Sequence, residues 1–188
     1  MAEKYNSPFT IEDYNSGDGM MTSVWGPAMW MTLHTISFNY PINPTEEQMK
    51  NYYKFFKNLQ HILPCRYCRE NYTENLKIHI LNRNTMKNRE SLSRWVYELH
   101  ELINKKLDKV SGLTYEEVRD RYEHFRSRCL VDPGLKITGK TEIVTKEKGC
   151  TEPLYGVKSK CVINIVPKDN RLSSFKMDPK CIIKKNKN

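Results

Sequence analysis

The stretch "HILPCRYCRENY", His61–Tyr72, decides how the chain folds, because one helix must end and another begin inside it. Pro64 ends the first helix and suits the opening turn of the second, which places Cys65 and Cys68 at a helix start. These two form the only C-x-x-C in the chain. Such a pair can clamp a metal, trade electrons as a disulfide, or fill a helix interior.

Working outward, the helix before Pro64 starts at a capping box, Thr45-x-x-Gln48, and carries Met49, Tyr52, Tyr53, Phe56, Leu59 and Leu63 at helical spacing. An apolar, Trp-rich helix is expected upstream from Val24 to Tyr40, stopped by "YPINP". The helix that begins near Cys65 is expected to reach Leu81, with "LNRNTMKNR" as a loop. A further helix, Arg89–Lys109, places Leu92, Trp95, Val96, Leu99, Leu102, Ile103 and Leu107 on one side. Thr114-x-x-Glu117 caps a short fifth helix that "VDPG" would stop after Cys129. The fold class expected is mainly α: a four-helix bundle plus a short fifth helix, because short loops favour antiparallel neighbours. After Pro133, "LKITGKTEIVT" and "KCVINIVPK" read as short strands of a small β-containing C-terminal appendage. The organisation expected is a flexible arm over 1–22, a helical domain over 23–131 and a basic extension over 132–188.

The 188 residues are enough for one domain with a real core, and 38% apolar with 28% charged residues fits a globular protein. No run approaches the roughly 18 to 20 apolar residues of a membrane span. "MAEKYNSPFTIEDYN" lacks the apolar core of a secretory signal, so a cytosolic protein without membrane association is expected. Net charge is +9, of which residues 1–131 hold +2 and residues 132–188 hold +7. A basic tail such as "CIIKKNKN" reads first as a solvated segment, with nucleic-acid or anionic-surface contact as the alternative. Six cysteines without a secretory signal point to metal ligands, redox groups or buried thiols rather than a stapled extracellular scaffold.

A structural zinc site needs four Cys or His ligands. Only one cysteine pair is present, with His61 and His79 the nearest histidines, so the zinc set is incomplete and no metal is expected. The redox reading needs less. A helix start favours a thiolate at Cys65, and Arg66 and Arg69 add positive charge. A dithiol that hands electrons to oxygen needs a cofactor such as flavin. Trp30 and His34 share a helix face at i, i+4, as do His100 and Asn104, with Trp95 a little over a turn earlier and Lys105, Lys106 and Lys109 following. Each is an ordinary core residue taken singly. Together they offer stacking faces, ring and amide hydrogen bonds, and cations for a pyrophosphate.

"WGPAMWMTLH" with "NYP", "PCRYCRENY" and "SRWVYELHELINKKL" stand in the order of three motifs of one family. Over about residues 24–128 the sequence resembles the Erv/ALR family of FAD-linked sulfhydryl oxidases. "YEHFRSRC" and "SKCVINIVP" look most like the thiol oxidases of large cytoplasmic DNA viruses. The resemblance implies a helical bundle cradling FAD, usually as a homodimer. Gly26, Trp30, His34, Trp95, His100, Asn104, Lys106 and Lys109 would contact or enclose the cofactor. Cys68 would lie against the isoalloxazine as charge-transfer partner, and Cys65 would exchange with an incoming protein dithiol or a thioredoxin-like carrier. Oxygen would be the final acceptor and peroxide the product, in host cytoplasm and/or the virion. A flavin-free thiol–disulfide carrier and a zinc-knuckle adaptor with a nucleic-acid-binding tail are the alternatives.

Departures from the family pattern are equally specific. The family often places a structural disulfide where this chain has Tyr97 and Tyr115, 18 residues apart. A crosslink closing such a loop contributes about 3 kcal/mol, which packing must replace. Glu101 stands where an Asn commonly follows the helix His, and no second C-x-x-C is present to act as a shuttle. Cys150 and Cys161 flank "TEPLYGVKSK" and could pair across a hairpin or remain free thiols.

Overall fold

A computed structural model describes residues 7–127, with Cys150, Leu154, Val162–Ile163 and Phe175–Lys176. Its described helices are α1 (Ile11–Tyr14), α2 (Thr22–Phe38), α3 (Glu46–Ile62), α4 (Arg66–Ile78), α5 (Arg89–Lys106) and α6 (Tyr115–Glu123). Helix α2 packs along α5, α3 along α4, and α6 lies across both α2 and α5. This is the four-helix bundle plus short fifth helix expected, preceded by one extra turn.

Helix starts follow local chemistry. Thr45 and Gln48 exchange reciprocal side-chain to backbone bonds at 3.2 and 2.8 Å, and Thr114 with Glu117 does the same at 3.2 and 2.8 Å. Asn88 caps α5 through Ser91 N–H at 2.9 Å. Each box satisfies backbone donors that a helix start leaves unpaired. A third, Thr10 with Asp13, starts α1, an exposed helical turn within the stretch read as a flexible arm.

Three helix ends fall short of the sequence expectation by three residues or more. Helix α4 stops at Ile78 rather than Leu81, because the His79 ring turns back to the Trp95 carbonyl at 2.8 Å. Helix α5 stops at Lys106 rather than Lys109: Asp108 enters the left-handed region at φ 52°, and Lys109 N–H returns to Asn104 O at 2.9 Å. Helix α6 stops at Glu123, well before Cys129. There Arg126 pairs with the Glu123 carboxylate and donates to the Phe38 carbonyl at 2.9 Å, tying the end of α6 to α2.

The main core gathers Leu33, Phe56, Leu59, Tyr72, Leu92, Trp95, Val96 and Leu99 from α2–α5, with Tyr40 and Met86 from the loops between them. Burying each such side chain contributes roughly 1.5–3 kcal/mol. Two buried phenols are satisfied by carbonyls, Tyr40 by Met86 and Tyr72 by Phe56, both at 2.8 Å. A second cluster holds α6 in place through Phe38, Tyr115 and Val118, flanked by Tyr97, Leu113 and Tyr122. The rings of Tyr97 and Tyr115 meet edge to face at 5.8 Å. Tyr97 donates to Leu113 O at 2.7 Å, Tyr115 shares a bond with Ser93 at 2.8 Å, and the Arg94 guanidinium lies 3.9 Å over the Tyr115 ring. An aromatic pair at about 1 kcal/mol and two hydrogen bonds at about 1 kcal/mol each match what a crosslink of that loop length would give.

In the C-terminal third, Val162–Ile163 pairs antiparallel with Phe175–Lys176, and Leu154 N–H donates to Arg126 O at 2.8 Å. Cys150 is disulfide-bonded. Its partner, the pairing with Cys161 and the strand expected in "LKITGKTEIVT" lie outside the described residues.

Candidate active site

The cysteine turn is built by α3 ending and α4 starting within four residues. Cys65 is the N-cap of α4, with extended backbone, and its Sγ accepts the Cys68 N–H at 3.3 Å. Both cysteines are free thiols and half-buried. Arg69 does not face the sulfurs as a loose cation: it donates to Leu63 O at 2.6 Å and braces the turn. Arg66 points outward, 3.7 Å from Glu70 and 5.0 Å over the Tyr67 ring. The Cys68 thiol, bonding to Cys65, and the backbone N–H groups of the helix start draw the Cys65 thiol below its ordinary value. Burial, then the bond from Cys65, pushes Cys68 up. In the reduced pair the negative charge therefore settles on Cys65, the outer sulfur.

The N-terminal arm closes over this turn. Met20 N–H donates to Pro64 O at 2.8 Å, and the Trp25 indole donates to Met20 O at 3.0 Å. Thr22 Oγ1 lies 3.7 Å from Cys68 Sγ. A cleft of about 340 Å³ runs beside Cys65, walled by Gly17–Met20 on one side and Arg66–Tyr67 on the other.

Helices α2 and α5 bring three of the expected residues into direct contact. The Trp30 ring stacks on His100 at 3.9 Å with only 7° between planes. His34 Nε2 meets His100 Nδ1 at 3.1 Å, and His34 continues the ring stack to Tyr122 at 5.1 Å and Phe38 at 6.2 Å. Burial holds His34 down at about 3 and His100 at about 4, so both imidazoles are neutral at pH 7. They act as flat hydrogen-bonding surfaces, not cations. Gly26 is buried one turn before Trp30, where a Cβ would meet Thr22 Cγ2 at 3.5 Å, an ordinary contact.

The other expected residues sit apart from that stack. Trp95 is buried between Phe56, edge-on at 5.7 Å, and His79, stacked at 5.2 Å. Asn104 turns to Glu101 at 2.9 Å. Lys106 reaches back to Oδ1 of Asn75, while Lys109 is exposed beyond the helix end. Asn75, like Thr22, is a residue that sequence reasoning missed. It is fully buried on α4, and its signal was an Asn, poor in helix interiors, on the same face as Tyr72 and Leu76. Among the described residues, no cluster of three or more His, Cys, Asp or Glu is arranged to hold a metal ion. His79 of the zinc reading is engaged with Trp95.

Three buried polar atoms lack a partner among the described residues: His34 Nδ1, Asn75 Nδ2 and Trp95 Nε1. Leaving such a group unpaired costs about 1–3 kcal/mol. A dithiol turn, a stack of neutral planar rings and unpartnered buried polar atoms in one helical bundle are the parts of a redox protein. Residues 27–123 match the Erv1 / Alr family, and the chain belongs to that family. It is 36% identical over 104 residues to a probable FAD-linked sulfhydryl oxidase of Acanthamoeba polyphaga mimivirus, covering 55% of this chain and 72% of that one. It is 33% identical over 84 residues to the mitochondrial FAD-linked sulfhydryl oxidase ERV1 of Saccharomyces cerevisiae, covering 45% of this chain and 43% of that one. The chain thus spans less than half of the yeast protein. The crystal structure of the FAD-binding domain of that yeast protein superposes with a TM-score of 0.50 at 29% identity, covering 55% of this chain and 94% of the domain.

Proposed function

We propose that this protein is an FAD-dependent sulfhydryl oxidase that forms disulfides in protein dithiols with O₂ as acceptor and H₂O₂ as product. The observation that carries this is the set of orphaned buried atoms, His34 Nδ1, Asn75 Nδ2 and Trp95 Nε1, in the bundle that also holds the Cys65–Cys68 turn. Each is a buried polar atom without a partner among the described residues, as a polar-edged cofactor would supply. Trp30, His34 and His100 would hold ring faces, Gly26 a close backbone approach, Trp95 and Asn104 polar edges, and Lys106 and Lys109 the pyrophosphate. Bound FAD supplies the two-electron step that links a dithiol to oxygen.

The chain's own chemistry is thiol–disulfide exchange. A substrate thiolate attacks Cys65 Sγ of the oxidised pair; the Cys65–Cys68 bond breaks and Cys68 leaves as thiolate. The second substrate thiolate attacks the substrate sulfur of the mixed disulfide, so the substrate leaves oxidised and Cys65 becomes a thiolate. The pair has then gained two electrons, with Cys68 the inner sulfur. Cys65 lines the surface cleft, which supports its role as the exchanging sulfur.

The domain reading places this chemistry in 23–131, with the arm of 1–22 before it and the basic extension of 132–188 after it. The expected partners are a protein dithiol or a thioredoxin-like carrier and a second copy of the chain. The mimiviral relative supports a setting in host cytoplasm and/or the virion. Among the described residues no helix is long and apolar enough to cross a membrane.

The test is the visible spectrum and oxygen uptake of the pure protein. One flavin per chain and dithiothreitol-driven oxygen consumption are expected. Cys65→Ser should keep the flavin and lose at least about a hundredfold in turnover. Colourless protein, or full oxygen uptake by Cys68→Ser, overturns the reading.

A further inference from the structure

The segment ahead of α2 belongs to no motif of the site, yet it is the part of the chain laid directly on the cysteine turn. Met20 N–H takes the Pro64 carbonyl at 2.8 Å, immediately before Cys65. The Trp25 indole holds the other side of the same residue, through Met20 O at 3.0 Å. Gly19 passes so close that a Cβ there would sit 2.9 Å from Pro64 O and 3.1 Å from Cys65 Cα. Only glycine allows that approach without the strap or the turn giving way. Two residues after Met20, the strap delivers Thr22 Oγ1 to 3.7 Å from Cys68 Sγ.

This hydroxyl addresses a difficulty in the chemistry. Cys68 is the inner sulfur and must leave as a thiolate when Cys65 is attacked, although burial disfavours charge there. Once Cys65 is tied to substrate, it cannot donate a proton to Cys68. The Thr22 hydroxyl can, being free to rotate about its C–O bond. Its bond lowers the Cys68 value against burial, and it acts in the same direction on Cys65.

We propose that Thr22 is a positioning residue of the redox centre: its hydroxyl donates to the Cys68 thiolate as that sulfur leaves, held in place by the Gly19–Met20 strap on Pro64. This rests on the sulfhydryl-oxidase reading and adds to it a role for a segment outside the family match, which begins at residue 27. A hydrogen bond to a charged sulfur speeds departure of the leaving thiolate and raises its population near neutral pH. The strap is therefore part of the working site, and glycine at position 19 is required by its geometry.

The experiment follows Cys68 itself. In a Cys65→Ala background, flavin-loaded protein is alkylated with iodoacetamide across pH 5 to 10, and the Cys68 peptide is quantified by mass spectrometry. Thr22→Val should raise the alkylation midpoint by about one pH unit, roughly a tenfold loss of thiolate below it. Thr22→Ser should restore the parent midpoint, and Gly19→Ala should shift it in the same direction as Thr22→Val. Melting temperature and flavin content identify any variant that has merely unfolded, and Thr22→Ser then serves as the folded comparison. An unchanged midpoint in folded Thr22→Val, or equal shifts in Thr22→Val and Thr22→Ser, overturns the proposal. Absence of flavin and oxygen uptake in the unmutated protein overturns the functional reading instead, and the apoprotein alkylation series still judges Thr22.

Discussion

His34 and His100, facing each other at 3.1 Å, show what individual residues contribute. Both are held neutral by burial, at about 3 and about 4, against an ordinary histidine value of 6.5. As pH falls below about 6.5, the unfolded chain takes up protons that the folded one refuses, so stability declines toward the folded values. The slope approaches about 1.4 kcal/mol per pH unit for each histidine. Carboxylates held low by partners, Glu46 by Arg83 and Glu123 by Arg126, lose their contribution only below about their ordinary 4.5. The window from pH 6.5 to 5 therefore isolates the histidines. Melting temperature should drop across it, and His34→Gln should flatten the decline. An identical slope in the variant would place the acid sensitivity elsewhere. The i, i+4 spacing made these residues legible, because helical periodicity alone puts Trp30 with His34 and His100 with Asn104. Asn75 and Thr22 were not legible: their partners Lys106 and Cys68 lie 31 and 46 residues away, and no local pattern encodes such a meeting.

At the scale of elements, the cluster of Tyr97 and Tyr115 shows packing in the place of a crosslink. Tyr115→Phe should cost only about 1 kcal/mol, because Ser93 Oγ retains Arg89 O at 2.8 Å. Tyr115→Ala should cost about 3–5 kcal/mol, since it removes the ring that joins α6 to α2 and α5. Urea unfolding measures both; equal losses would mean that the hydroxyl, not the ring, holds the cluster. Helix starts were readable at Thr45 and Thr114, where a short-range cap precedes a longer amphipathic run, but not at Thr10, whose box opens a single turn. Helix ends were not, because long-range partners set them: the Trp95 carbonyl for α4, and the Phe38 carbonyl just beyond α6. Cys65 as a cap was half visible. The sequence put it at a helix start, but only the fold shows its sulfur taking a backbone N–H.

The whole molecule leaves several large apolar side chains in water, among them Ile62, Ile78 and Ile80, each at least 60% exposed. A second copy of the chain is the partner expected to cover some of these side chains, so sedimentation should give a mass near twice 22.3 kDa. Ile78→Lys with Ile80→Lys should shift it toward the monomer, and a wild-type monomer at micromolar concentration would sink this expectation. The bundle's architecture was legible because amphipathic faces and short loops dictate it. How the basic extension relates to it was not, since charge excess describes a segment's solvation and not its place.

Cys65 is the N-cap of α4 and, on the proposed function, also the exchanging sulfur. A sulfur bonded to another sulfur is a poorer acceptor than a thiolate, so oxidation of the pair removes part of the grip on the Cys68 amide. On the proposed function, the first turn of α4 should loosen when the pair is oxidised and tighten when it is reduced. Amide exchange at Cys68 is then where the redox state of the pair should be read in the backbone.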